Sequence, residues 1–182
     1  AHADWQPDEG RALSRTGTRD AVRVAAILES RPIQALVCSP YRRARQTLEP
    51  LAARLELRIR LDERFRERAL GRWQSGSFEQ AVACTWQDFD FADPGGESNR
   101  QAQIRTIEAL DDLVNSGDQQ VYAIGTHGNL LALLLNYFDP RVGFDFWSQL
   151  SMPDIYQLDQ EVRDLEHYTR VWEEGPGWEA KP

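Results

Sequence analysis

Apolar residues recur along this chain in two alternating patterns, which predict alternating helices and strands. Stripes with a spacing of three to four residues indicate amphipathic helices, while short unbroken apolar runs indicate buried strands. The predicted helices cover residues 17–29, 40–55, 78–86, 104–114 and 129–137. The predicted strands cover residues 33–38, 57–61 and 121–125, followed by two C-terminal strands in MPDIYQL and HYTRVW.

This alternation predicts an α/β fold, a three-layer α/β/α sandwich around a mainly parallel sheet, with an antiparallel edge formed by the last two strands. We expect a single domain over residues 1–172 and a flexible tail over residues 173–182. Ligands of such sheets bind at the carboxyl ends of the strands. Two predicted strands end in reactive side chains, because one runs into Cys38 and an arginine cluster and another into His127.

The composition narrows the range of partners. The chain has 182 residues and a formal net charge of -8, so nucleic acid is not expected as a partner, because phosphate backbones bind basic surfaces. No apolar run approaches the roughly 20 residues that a membrane helix needs, so no membrane contact is expected. Cys38 and Cys84 fit neither a disulfide framework nor a CxxC metal site, and we expect a reduced, cytoplasmic setting.

The segment CSPYRRARQT places an arginine at the start of a predicted helix. With Ser39 as the N-cap and Pro40 at the first helical position, Arg43 lies in the first turn, where its charge opposes the helix dipole. A structural reason for it is therefore weak, and an arginine beside a helix N-terminus is typical of an anion site. Arg42 and Arg45 are predicted to face solvent, whereas Arg43 is interpreted as a phosphate-binding residue.

The same segment also resembles the Cys-x5-Arg loop of cysteine-dependent phosphatases, but its spacing differs. Arg43 comes one position too early, and Ala44 stands where the arginine should be. Pro40 removes a backbone N–H that such a loop would direct at the phosphate. We therefore predict that Cys38 is a buried strand cysteine and not a nucleophile.

The remaining candidates for chemistry are one histidine and three glutamates. His127 follows an apolar strand and precedes Gly128, and it could act as a donor, an acid or a nucleophile. The alternative is a core histidine that is satisfied by a backbone group. Glu63, Glu67 and Glu97 are candidate general acids. Since no HxH, HExxH or clustered His/Asp pattern is present, neither a metal nor another cofactor is expected.

Four motifs, taken in order, make nearly the whole chain resemble the histidine phosphatase superfamily, with its phosphoglycerate mutase-like fold. SPYRRARQT is similar to that family's Ser-Pro-x-x-Arg-Ala-x-Gln-Thr, which places its phosphate-binding arginine at Arg43. FRERALGRW is similar to Leu-x-Glu-x-x-x-Gly-x-Trp, whose glutamate falls on Glu67. PGGES stands intact at residues 94–98, and THG places the second catalytic histidine at His127.

This resemblance implies metal-free phosphoryl transfer through a phosphohistidine. A first histidine would attack phosphorus, while Arg43, His127 and a second arginine would hold the phosphate oxygens. Gly128 and Asn129 would add contacts to the phosphate at the start of the helix that follows. Glu67 would protonate the leaving oxygen and then take a proton from water.

The N-terminal segment departs from the family, whose first histidine lies in Arg-His-Gly or Arg-His-Ala after an apolar strand. AHADWQPDEGRALSRTG contains neither, although its RALSRTG is similar to Arg-Pro-Leu-Ser-x-x-Gly. Two alignments are open. Either Ala1 follows an Arg-His pair that precedes this chain, and His2 only lines the pocket, or His2 is itself the nucleophile. We favour the first, because a parallel sheet without an interior strand would leave backbone groups unpaired.

We therefore expect a phosphatase that acts on small phosphomonoesters. About 20 residues separate GRW from PGGES, which leaves little room for a large cap and favours a phosphatase over phosphoglycerate mutase-type transfer, the enzymatic alternative. The non-enzymatic alternative is a phosphate-binding module without a nucleophile. The sequence determines neither the substrate, nor the oligomeric state, nor whether residues 74–100 form a moving lid.

Overall fold

A computed structural model describes residues 8–72, 77–116, 120–159 and 168–173. It divides into two compact units, which are described one at a time. The first comprises residues 1–66 and 118–126, and the second residues 67–117 and 127–182. The single domain over residues 1–172 stays a prediction. His2 and all of the expected tail except Glu173 lie outside the described residues.

Six helices and five strands occur in the described residues. The helices are α1 (Arg15–Leu28), α2 (Arg42–Leu55), α3 (Phe78–Gln87), α4 (Asn99–Val114), α5 (Gly128–Phe138) and α6 (Phe144–Gln149). The strands are β1 (Ala35–Cys38), β2 (Ile59–Leu61), β3 (Tyr122–Gly125), β4 (Tyr156–Leu158) and β5 (Tyr168–Arg170). Two short 3₁₀ helices span Asp8–Gly10 and Glu63–Phe65.

The first unit is built on a parallel sheet of three strands. Their order is β2-β1-β3, so β1 lies in the middle and pairs with both neighbours. Leu36 of β1 and Leu48 and Leu51 of α2 belong to one buried apolar cluster, because α2 turns its apolar face to this core. The packing fixes the start of α2 relative to the carboxyl end of β1, where the first candidate residues lie.

The second unit is mainly helical and carries a two-stranded antiparallel sheet of β4 and β5. Helix α5 buries leucines on several faces, including Leu130, Leu133 and Leu135. Leu130 and Leu133 pack with Ala102 of α4, and Leu135 packs in a second cluster with Trp147 of α6. The N-terminus of α5 is thereby held in place by apolar contacts along its length.

The fold confirms the predicted α/β class, the mainly parallel sheet and the antiparallel pairing of the last two strands. The predicted N-cap of α2 is wrong. Ser39 still belongs to the strand ladder, since its N–H donates to the Gly125 carbonyl at 2.8 Å. Its Oγ accepts from the Tyr41 N–H at 3.2 Å in a turn, and the helix begins only at Arg42.

Two further differences concern helices of the second unit. The predicted apolar stripe of α4 included Ile104 and Val114, but both are exposed, while the small residues Ala102 and Ala109 are buried instead. Small residues allow close packing between helices. The buried face of α4 therefore includes small side chains that the predicted stripe did not. Helix α6 was not predicted, because six residues are too short for a periodic stripe to be visible.

Candidate active site

Arg43 lies in the first turn of α2, as predicted, and its guanidinium is held by Asp8. Its Nη1 donates to Oδ1 of Asp8 at 2.9 Å and to the Asp8 carbonyl at 2.8 Å, and its Nη2 donates to Oδ2 at 3.0 Å. The guanidinium carbon stands 5.0 Å from the centre of the Tyr41 ring. Arg42 and Arg45 are exposed, as predicted. Within its own unit, Arg43 is therefore a fixed side chain, and sequence reasoning missed the residue that fixes it.

Cys38 at the end of β1 is fully buried, which supports the prediction that it is not a nucleophile. Burial raises the pKa of its thiol to about 12, with a smaller opposing effect from Arg45 and a further rise from Glu49. The reactive form of cysteine is the thiolate, and Cys38 carries almost none of it near neutral pH. A Cβ at Gly125 would stand 2.7 Å from the Cys38 sulfur, so this glycine makes room for the thiol.

Glu67 lies against the N-terminus of α5 in the second unit. Its Oε1 accepts from the Arg68 N–H at 2.9 Å, and its Oε2 accepts from the Asn129 N–H at 3.4 Å. The structure therefore brings together Glu67 and the start of the helix that follows His127. A helix N-terminus favours a negative charge, so a carboxylate is well placed at this position.

His127 is the N-cap residue of α5. Its backbone is extended, and its carbonyl accepts from the Leu131 N–H at 2.8 Å. The imidazole makes no capping hydrogen bond with the helix, so its position is not explained by helix capping. The residue is buried, with 8% of its surface exposed. Gly128 and Asn129 follow in the first helical turn, where backbone N–H groups have no partner within a helix.

The side chain of Asn129 belongs to a buried chain of amides. Its Oδ1 accepts from Trp86 Nε1 at 3.2 Å, and its Nδ2 donates to Asn99 Oδ1 at 3.4 Å. Asn99 in turn donates to the Thr85 carbonyl at 2.9 Å. This network ties α5 to α3 and α4, and nothing in the sequence pattern had indicated it. The phosphate contact of Asn129 stays a prediction, because its amide belongs to this network and its backbone N–H donates to Glu67.

The PGGES segment holds the stretch that follows Glu67. The Glu97 N–H donates to the Ala69 carbonyl at 2.7 Å, and the Arg72 N–H donates to the Pro94 carbonyl at 3.2 Å. Arg68, which is buried, donates from Nη1 to the Glu97 carbonyl at 2.9 Å. These bonds attach the loop to the backbone on the C-terminal side of Glu67, so both motifs serve to position that carboxylate.

Glu97 itself is bound by an arginine. Arg105 donates from Nε to Oε1 at 2.6 Å and from Nη2 to Oε2 at 2.8 Å, and both side chains are largely buried. Burial lowers the pKa of Arg68, against the opposing effect of Glu67, Glu97 and Asp93. Of the three candidate acids, Glu97 thus has a structural role as the ion-pair partner of Arg105. Glu63 is exposed in the first unit. Glu67 alone lies at the start of α5.

The sequence-predicted residues fall into the two units as follows. Arg43 belongs to the first unit, while Glu67, His127, Gly128 and Asn129 belong to the second. His2 lies outside the described residues.

In the part of the chain that the structure describes, no three His, Cys, Asp or Glu side chains are grouped as metal ligands would be. Nor do those residues include a helix with the length and apolar character needed to span a membrane.

Curated relatives of this chain are phosphatases. The chain is 33% identical over 138 residues to glucosyl-3-phosphoglycerate phosphatase of Mycobacterium tuberculosis, an alignment that covers 67% of the chain and 61% of the relative. It is 30% identical over 136 residues to the protein of that name from Mycolicibacterium vanbaalenii, covering 67% and 60%. The chain thus spans about three fifths of the length of these relatives.

Solved structures show the same fold. The native mycobacterial glucosyl-3-phosphoglycerate phosphatase superposes with a TM-score of 0.71 at 27% identity, covering 91% of this chain and 88% of that one. YhfR of Bacillus stearothermophilus gives a TM-score of 0.64 at 26% identity, covering 86% and 83%. The family model described as the histidine phosphatase superfamily (branch 1) matches residues 2–161. The chain therefore belongs to the histidine phosphatase superfamily.

Proposed function

We propose that this chain is a metal-independent phosphatase that hydrolyses small phosphomonoesters through a phosphohistidine intermediate. The observation that carries the proposal is the position of Glu67 at the N-terminus of α5. This helix begins directly after His127. There its carboxylate accepts hydrogen bonds from the N–H groups of Arg68 and Asn129. Membership of a phosphatase superfamily and the names of the relatives support the same class of reaction.

The proposed reaction has two steps. A histidine nitrogen forms a bond to phosphorus as the bond from phosphorus to the leaving oxygen breaks, and Glu67 gives its proton to that oxygen. Water then attacks phosphorus, Glu67 takes a proton from it, and the nitrogen–phosphorus bond breaks to release inorganic phosphate. Arg43, His127 and the backbone N–H group of Gly128 are assigned to the phosphate oxygens, where negative charge is spread in the transition state.

Two assignments of the nucleophile are tested: the histidine of an Arg-His pair encoded before Ala1, and His2. The gene sequence upstream of Ala1 distinguishes them. If an apolar strand ending in Arg-His is encoded there, its histidine is the nucleophile. If it is absent, replacement of His2 by alanine should abolish formation of the phosphoenzyme. A His2→Ala variant that still forms the phosphoenzyme would contradict the second assignment.

The substrate class is a small phosphomonoester. The mycobacterial relatives are named for glucosyl-3-phosphoglycerate, so this compound is the first specific substrate to assay beside a generic aryl phosphate. A phosphatase releases inorganic phosphate from both. Movement of phosphate between positions of a phosphoglycerate, without release, would instead favour the mutase alternative.

The product of the full-length gene should hydrolyse p-nitrophenyl phosphate at the same rate with and without EDTA, because no step of the proposed reaction uses a metal. Loss of activity on chelation, restored by a divalent cation, would contradict the metal-free reaction. Brief exposure to radiolabelled substrate should trap a phosphoenzyme that is labile in acid and stable in alkali, as a nitrogen–phosphorus bond is. A protein that binds phosphate but never turns over would support the binding-module alternative.

A further inference from the structure

Asp8 occupies one edge of the Arg43 guanidinium. A guanidinium has five N–H groups, and three of those of Arg43 are taken by Asp8. The two carboxylate oxygens meet Nη1 and Nη2 at 2.9 and 3.0 Å, which is the end-on edge, and the Asp8 carbonyl meets the other N–H of Nη1 at 2.8 Å. Asp8 therefore fixes both the direction and the plane of the group.

The side edge of the guanidinium, formed by Nε and Nη2, is not bound by Asp8. Its two remaining donors, the Nε–H and the second N–H of Nη2, point side by side and have no hydrogen-bond partner among residues 8–72 and the other described segments. Two parallel N–H groups are the fork that phosphate accepts in a bidentate fashion. Tyr41, with its ring 5.0 Å from the guanidinium carbon, supports one face of this plane.

The segment that carries Asp8 is itself anchored on α2. The Leu13 N–H donates to Gln46 Oε1 at 2.9 Å, and the next residue, Ser14, caps α1 by accepting from the Gly17 N–H at 3.0 Å. Gln46 belongs to the SPYRRARQT motif and Ser14 to RALSRTG. These two polar residues had no role at the level of sequence, and together they fix the chain on the C-terminal side of Asp8.

Asp8 does not cancel the positive charge of the two arginines that it contacts. Asp8 also meets Arg11, whose Nη2 is 3.2 Å from Oδ1, so one carboxylate is shared by two guanidinium groups. The three side chains together carry one net positive charge. The side chain of Arg43 is 16% exposed and that of Asp8 49% exposed, so solvent reaches the pair and an anion can as well.

We propose that Asp8 is a positioning residue, which grips the end-on edge of Arg43 and presents the Nε–H and Nη2–H edge to a phosphate group. The inference rests on the proposed function, because it takes Arg43 as a phosphate ligand. It names a residue outside the four motifs that acts through Arg43 without itself touching the substrate.

The test is binding of inorganic phosphate and orthovanadate to the full-length protein, measured by calorimetry. Asp8→Ala should weaken binding by roughly tenfold, since a bidentate charged contact is lost when Arg43 is free to turn. Asp8→Glu should recover part of the affinity, because it restores a carboxylate that can hold the Arg43 guanidinium. The matched control is Glu29→Gln, which removes a 45% exposed carboxylate from Arg54 in the same unit and should leave binding unchanged.

A double-mutant cycle with Arg43→Lys establishes whether Asp8 acts through Arg43. Lysine lacks the fork, so Asp8→Ala should have little further effect in that background. An equal loss in both backgrounds would overturn the inference. So would unchanged or tighter binding by Asp8→Ala, which would make Asp8 a blocking group instead.

The readout separates this inference from the proposed function. The ¹⁵N signal of the Arg43 Nε–H should shift on addition of phosphate in the wild type and should be broadened by motion in Asp8→Ala. Neither measurement needs turnover. A wild-type protein that shows this shift but hydrolyses no phosphomonoester would sink the proposed function alone, whereas a wild type without the shift would overturn the role of Asp8.

Discussion

At the scale of single residues, environment decides what a polar side chain does. Glu67 and Glu97 are the same residue type in neighbouring motifs, yet Glu97 is gripped by Arg105 at 2.6 and 2.8 Å. Glu67 accepts from the backbone N–H groups of Arg68 and Asn129, which place it at the start of α5. A bidentate arginine holds a carboxylate in place, so Glu97 has a structural role and the proposed proton transfer is assigned to Glu67.

A pair of variants tests this assignment. Glu67→Gln should lower kcat/KM for an aryl phosphate by about 10²–10⁴-fold, the range for loss of a general acid–base group. Glutamine keeps the shape of the side chain and one accepting oxygen, but it cannot donate the acid proton. The matched control, Glu63→Gln, changes an exposed carboxylate of the same LDERFRER stretch and should leave kcat/KM unchanged. Equal losses in both variants would remove Glu67 from its role, and unfolding in urea should distinguish loss of chemistry from loss of fold.

Asn129 shows the limit of residue-level reasoning about the site. Its position after His127 suggested a phosphate ligand, but its amide bonds Trp86 and Asn99. The type of residue and its place in the motif were visible in the sequence. Its partners come from 43 and 30 positions away, and no local pattern reports contacts at that distance.

At the scale of elements, two glycines allow two backbones to approach. Gly71 has φ +73°, in the left-handed region, and a Cβ there would stand 2.6 Å from the Gly96 nitrogen. A Cβ at Gly96 would stand 2.8 Å from the Leu70 carbonyl oxygen. Both neighbours are backbone, which cannot rotate away. The glycines of GRW and PGGES are thus required by the contact that holds the segment after Glu67 in place.

Alanine at these positions should therefore destabilise the protein. We expect Gly96→Ala to lower the free energy of unfolding by about 1–3 kcal/mol through overpacking. Gly71→Ala should cost about 1 kcal/mol more, because alanine is strained at positive φ. Gly143→Ala, in the same unit, has no atom within 4 Å of the added Cβ and should cost less than about 1 kcal/mol. Urea denaturation measures all three, and equal losses would refute the steric explanation.

At the scale of the whole chain, buried cysteine and tyrosine side chains, which are neutral when protonated, should make the protein less stable at alkaline pH. Burial raises the pKa of Cys38 and of Tyr156 to about 12, and it also raises the pKa of Tyr41 and Tyr168. The folded chain thus holds these protons more tightly than the unfolded chain. Their contribution is fully present below the unfolded values, 9.0 for cysteine and 10.0 for tyrosine, and is lost as pH rises toward 12.

The free energy of unfolding should accordingly fall as pH rises from about 9, with a slope of up to about 1.4 kcal/mol per pH unit for each group that titrates. Cys38→Ala should be less stable than the wild type at pH 8 because of the cavity, but its stability should fall less steeply between pH 9 and 11. Cys84→Ala, which changes an exposed thiol, should keep the wild-type slope. Urea unfolding at several pH values gives these slopes. A Cys38→Ala slope equal to that of the wild type would contradict the role of the buried thiol.

By itself, the sequence determined the order of the helices and strands other than α6, the α/β class, the family resemblance and the identity of Arg43, Glu67 and His127 as candidates. Periodicity reports which side of an element is buried, and motif order reports ancestry, so these features are local or linear. The tertiary structure decided which polar groups bind one another through hydrogen bonds and ion pairs. Asp8 reaches Arg43 across 35 positions, and the PGGES loop meets the backbone after Glu67 across more than 20. Such partners are chosen by packing between distant segments, and no pattern along the chain encodes them.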